Sequence, residues 1–77
     1  MNREYITEVD VLIKEEGEIT ALEVKSSMTY NRDFETTLKK LSGWIKTPIR
    51  RKAVVYTGDF ENIAGDIEII NYKSLTL

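Results

Sequence analysis

Apolar and polar residues alternate at two different periods along this chain, and the change of period divides it into elements. The stretch from Tyr5 to Lys14, and again that from Ile19 to Lys25, is rich in β-branched and aromatic residues, as strands are. Glu15-Glu16-Gly17-Glu18 lies between them, and a glycine able to take positive φ there predicts a tight antiparallel hairpin. Phe34, Leu38, Leu41 and Ile45 follow at spacings that line one face of a helix. Asn31 is placed to cap it, and Pro48 forbids continuation beyond Thr47. Ala53-Val54-Val55-Tyr56 is a short apolar run with the look of a buried strand. Ile67-Glu68-Ile69-Ile70 reads as a second short strand, and Asn71 can cap a closing turn through Leu75. Phe34, Trp44 and Tyr56 are expected in the core.

Strand, helix, strand in that order implies a right-handed crossover and a parallel pairing. The expected fold is therefore α/β: a β-hairpin, then a helix, then a parallel strand and a short last strand, in one mixed sheet. Residues 1–77 form a single domain, without repeat, linker or low-complexity stretch.

Alternation also fixes the register of the hairpin. A two- or four-residue loop sets Asp10 opposite Glu23, Glu8 opposite Lys25, Val9 opposite Val24 and Val11 opposite Leu22. A three-residue loop would mix polar with apolar faces. In the favoured register Asp10, Glu23 and Lys25 share one side of the sheet. Two carboxylates directly across an antiparallel pair repel, unless water or a shared cation lies between them.

Composition narrows what that cation can be. The chain has no cysteine and no histidine, so thiolate and imidazole ligands are excluded, and any metal must sit on oxygen. That favours Mg²⁺ or Mn²⁺, held by Asp10, Glu23 and the carbonyl of Val24. Lys25 would then orient or deprotonate a water, or steady the transition state. Charge is segregated within a net of −2. Seven acids fall before Lys25, whereas Lys39 to Gly58 holds six bases and no acid. Lys39, Lys40, Arg50, Arg51 and Lys52 are the candidates for contacts to nucleic-acid phosphates; the commoner role of such a run is to keep a surface solvated. No apolar run is long enough to cross a bilayer, and the start lacks the apolar core of a signal peptide, so a soluble, cytoplasmic protein is expected.

Glu8-Val9-Asp10-Val11-Leu12-Ile13 followed by Leu22-Glu23-Val24-Lys25-Ser26-Ser27 resembles the PD-(D/E)xK nuclease superfamily. More narrowly, the chain is similar from about residue 5 to 75 to the nuclease-like C-terminal domain of unknown function that follows the ATPase domain in many prokaryotic AAA-type ATPases. Val54 to Asp59 and Ile69 to Tyr72 look like that domain's last strands. The resemblance implies a truncated restriction-endonuclease-like core, with Asp10 and Glu23 binding Mg²⁺ and Lys25 assisting phosphodiester hydrolysis. The helix that usually opens that core has no counterpart before Tyr5. One sheet face is then expected to lie uncovered, open to homodimerisation. Two functions follow: a Mg²⁺-dependent nuclease or DNA-binding domain, or a catalytically inactive nuclease-like fold serving as a structural, dimerisation or ATPase-associated module.

Overall fold

A computed structural model of the chain describes residues 9–77. Glu8, expected opposite Lys25, lies outside the described residues, as does the start of the first predicted strand. Among the described residues five strands form one mixed sheet: β1 (Val11–Glu15), β2 (Glu18–Lys25), β3 (Ile49–Tyr56), β4 (Asn62–Ala64) and β5 (Ile67–Asn71). Their spatial order is β1-β2-β3-β5-β4. The three central strands run parallel, and each edge is closed by a hairpin partner.

β1 and β2 pair in the register the alternation predicts, with Val11 opposite Leu22 and Glu15 opposite Glu18. The loop is the two-residue one. Glu16 at φ 53° and Gly17 at φ 82° are both left-handed, the type I′ geometry that matches strand twist. The predicted helix begins with a 3₁₀ turn, Arg32–Glu35, capped by Asn31, whose side chain accepts the N–H of Asp33. It continues as α1 (Thr36–Trp44). It stops three residues short of Thr47, with Ile45 already extended.

β3 is longer than the apolar run suggests and takes in Arg50, Arg51 and Lys52. These charges are tolerated in a central strand because each faces an acid: Glu18, Glu68 and Asp66 respectively. Gly65 at φ 65° turns the chain between β4 and β5, a hairpin too short for its alternation to register in the sequence. Asn71 caps the closing 3₁₀ turn, Tyr72–Ser74, as expected.

Alternation gives the sheet two different faces. Ala21, Val54 and Ile67 pack under Leu38 and Leu41 of α1, and Tyr30, Phe34, Ile45 and Ile49 close the margins of this core. Leu22, Ala53 and Val55 face the other way, covered only by Ile13, Ile70 and Leu75. Val11, Val24, Ile63 and Tyr72 remain exposed. Two placements differ from expectation. Trp44 is not core but 38% exposed, because it is the last residue of a helix that ends early. Val9 does not face Val24; it joins the helix-side cluster with Ala21 and Leu38. The chain bends at Asp10, and that bend carries Val9 across the sheet.

Candidate active site

The bend at Asp10 has a visible cause. The ladder between β1 and β2 ends at the Val11–Leu22 pair. Beyond it the N–H of Val24 donates to Asp10 Oδ2 at 2.9 Å. A side-chain oxygen thus takes up the last in-plane donor of β2 and fixes the carboxylate of Asp10 at the end of the hairpin, exposed to solvent. Val24 serves here through its backbone, and its side chain is exposed on the face away from α1.

Glu23 lies one residue earlier, just past the last Val11–Leu22 pair of the ladder, so the expected Asp10–Glu23 pairing is not formed; its side chain projects toward the helix side. It is only 4% exposed. Its Oε2 pairs with Lys25 Nζ at 3.1 Å, while its Oε1 is buried without a hydrogen-bond partner among the described residues. Lys25, partly exposed, also lies 5.6 Å above the ring of Phe34. The two positions share a face because they are two apart on one strand. Glu23 and Lys25 thus share the helix side at the end of β2, and Asp10 is tied to the same end through the Val24 N–H.

A second buried carboxylate was not legible as such. Glu35 is 3% exposed on the helix side. Unlike Glu23 it is fully engaged: the hydroxyl of Tyr30 donates to Oε2, and Lys39 Nζ lies 3.4 Å from Oε1. The Glu35-Lys39 spacing of four was the available signal, one that usually marks a surface pair. Tyr30 joins the two regions. Its ring meets Phe34 edge-on at 5.6 Å, Tyr56 at 5.9 Å and Phe60 at 5.6 Å. Beyond Tyr30 an open groove of about 610 Å³ runs past Arg32, Glu35, Phe60, Asn62 and Asp66.

The basic residues of α1 and β3 are not collected into one surface. Arg50 faces Glu15, Glu16 and Glu18 of the hairpin at 3.9, 3.7 and 2.9 Å. Arg51 holds both carboxylate oxygens of Glu68 at 2.8 Å and donates to the carbonyl of Thr76. Lys52 pairs with Asp66 at 3.0 Å on the opposite face of the sheet. Hydrogen bonds from Arg51 and Lys52 hold the carboxyls of Glu68 and Asp66 below the usual carboxylate range. Lys39 pairs with Glu35, and Lys40 stands exposed on the helix.

An oxygen-only donor set with one unsatisfied buried oxygen fits a small hard cation. Burial of an ionised carboxylate without partners for both oxygens is costly, so Glu23 asks for a positive group beyond Lys25. Among the described residues no three acids converge, so the protein would supply two carboxylates and water the remaining positions. No helix of the described residues is long and apolar enough to cross a membrane. A family model described as "Domain of unknown function (DUF4143)" matches residues 2–75. No curated protein and no solved structure matches the chain.

Proposed function

The chain belongs to the DUF4143 family, and on the site it carries we propose a metal-dependent phosphodiester hydrolase of the PD-(D/E)xK type, acting on DNA. The observation that carries this reading is the Oε1 of Glu23, unpartnered among the described residues and buried beside Lys25, one residue before the Val24 N–H that fixes the Asp10 carboxylate. Asp10 and Glu23 would hold Mg²⁺ or Mn²⁺. A divalent ion bound there supplies a Lewis acid for phosphate oxygens and an acidified water.

The chain's own groups divide the remaining work. Val24 holds Asp10 through its N–H, so that carboxylate needs no reorganisation to bind. Lys25, tethered to Glu23, keeps its ammonium at the same end of β2. There it can donate to a phosphate oxygen as charge builds on it. Phe34 beneath Lys25 restricts where that ammonium can go.

The test is a titration with Mg²⁺ and Mn²⁺ read from backbone amide resonances. Shifts at Asp10, Glu23 and Val24 that vanish in Asp10→Ala support the reading. No response at about 10 mM, far above ordinary Mg²⁺ site occupancy, ends it. Cleavage of DNA should in turn be lost in Lys25→Ala while metal binding persists. The second reading, a non-catalytic nuclease-like module, is favoured by one observation: Lys39, Arg50, Arg51 and Lys52 each face an acid of their own chain. Metal binding without any cleavage, together with DNA affinity insensitive to salt, would favour that module.

A further inference from the structure

β1 stands at the edge of the sheet, with β2 on one side and, among the described residues, no strand on the other. It reads Val11-Leu12-Ile13-Lys14-Glu15, with Val11 37% and Leu12 42% exposed. An apolar edge of this kind is a template for another strand. The hairpin turn decides which backbone groups are on offer. A two-residue turn closes on a pair that exchanges both hydrogen bonds, here Glu15 and Glu18, and bonded pairs alternate from there. Glu15, Ile13 and Val11 therefore direct their N–H and C=O to β2, while Lys14 and Leu12 direct theirs outward. The opposite strand agrees: Ile19, paired with Lys14, donates its N–H away from β1, to the carbonyl of Pro48 at 2.9 Å.

We propose that a second copy of this chain adds to this edge, antiparallel, about a twofold axis through Leu12. Only registers that set outward residues against outward residues can form the bonds, so the axis must pass through a residue rather than between two. An axis through Lys14 would bring two lysines face to face, which is destabilising. One through Val11 or Ile13 would set Leu12 against Asp10 or Lys14. The axis through Leu12 sets Val11 against Ile13 and Leu12 against itself, while Lys14 lies past the bend at Asp10, whose carboxylate is turned to the Val24 N–H of its own copy. Each apolar residue of β1 then meets an apolar one. Glu15 is matched within its own copy by Arg50. Such an interface is isologous and closed, so it ends at a dimer rather than a fibre. It also joins the exposed Val11 and Val24 of both copies into one apolar strip on the face away from α1. The inference stands on β1 alone and does not depend on a metal.

A strand pair this short predicts weak association, so sedimentation of the full chain should span about 10 µM to about 1 mM. A monomer–dimer equilibrium is expected, weakened at least tenfold by Leu12→Lys, which sets like charges on the axis. Ile63→Lys on the far edge, at β4, leaves it unchanged. A second measurement needs no loss of function. The chain lacks cysteine, so Leu12→Cys oxidises to a covalent dimer, its two Cα atoms lying about 5.5 Å apart across the axis. Lys14→Cys, displaced from the axis, does not. A monomer throughout the range overturns the proposal. So does an association that tolerates Leu12→Lys, that is lost in Ile63→Lys, or that cross-links Lys14→Cys as readily as Leu12→Cys.

Discussion

Replacing Glu23 with leucine should make the metal-free protein more stable. The side chain is 5% exposed, and one of its two oxygens has no partner among the described residues. Leaving a buried acceptor unsatisfied costs about 1–3 kcal/mol, and more when it is charged. Leucine has a similar volume and needs no partner. The change also dissolves the pair with Lys25, but that lysine is 36% exposed and can turn to water, so the loss is about 0–1 kcal/mol. The balance is a gain of about 1–2 kcal/mol. In a domain of this length that raises Tm by about 4–16 °C. The assay is thermal unfolding followed by circular dichroism in a chelating buffer, with urea denaturation to check that the m-value is unchanged. Added Mg²⁺ should reverse the ranking. A ligand at 100 times its Kd stabilises a protein by about 2.7 kcal/mol, and only the wild type retains the site. A fall in Tm for Glu23→Leu without metal would refute the reasoning, because Glu23 would then be a satisfied structural residue.

Three further expectations follow from the fold. A Cβ on Gly58 would sit 2.3 Å from the Met28 carbonyl oxygen and 2.6 Å from the Tyr56 ring, so Gly58→Ala should cost about 1–3 kcal/mol by denaturation, whereas Gly43→Ala, with open space around it, should gain about 0.5–1 kcal/mol. Glu16 holds φ 53°, which asparagine tolerates far better, so Glu16→Asn should raise stability by about 0.5 kcal/mol; the exposed contact to Arg50 that it forfeits contributes little. The carboxyl of Glu68 is depressed by its hydrogen bonds from Arg51, so its contribution is present above the ordinary carboxylate value and lost as pH falls through the lower folded value. Stability measured against pH should fall less steeply in that acid window for Glu68→Gln than for the wild type.

Local pattern reached as far as local physics decides the outcome. The hairpin register followed from Glu16-Gly17 and from keeping Val11 and Ile13 off the face of Asp10, because a slip of one residue would have exchanged the faces. The cap at Asn31 was equally readable, whereas Pro48 bounded the helix without placing its end, which comes at Trp44. What alternation could not supply was the behaviour of individual side chains at element ends. Asp10 captures a backbone N–H, and the bend it makes moves Val9 to the other face. Glu35 reads as a favourable acid in a helix's first turn, yet it is buried. That turn is 3₁₀, which rotates each residue by about 120° rather than about 100°. The inward line thus runs through Glu35, Leu38 and Leu41, with Phe34 at its margin. The basic run of β3 looked like a surface for phosphates because its acidic partners lie far off in sequence, on the hairpin and on β5.

The position of β3 has a kinetic consequence. β1–β2 and β4–β5 are hairpins whose contacts are local, and such pieces close in about 1–10 µs. Neither can extend until β3 arrives, and β3 can join β2 only after the whole crossover has folded over it. Among the described residues the sheet has no parallel pairing that avoids this strand. Refolding should therefore be slow for so short a chain, with a late barrier. Truncating Val54, buried at its centre, should retard refolding more than an equal truncation in either hairpin.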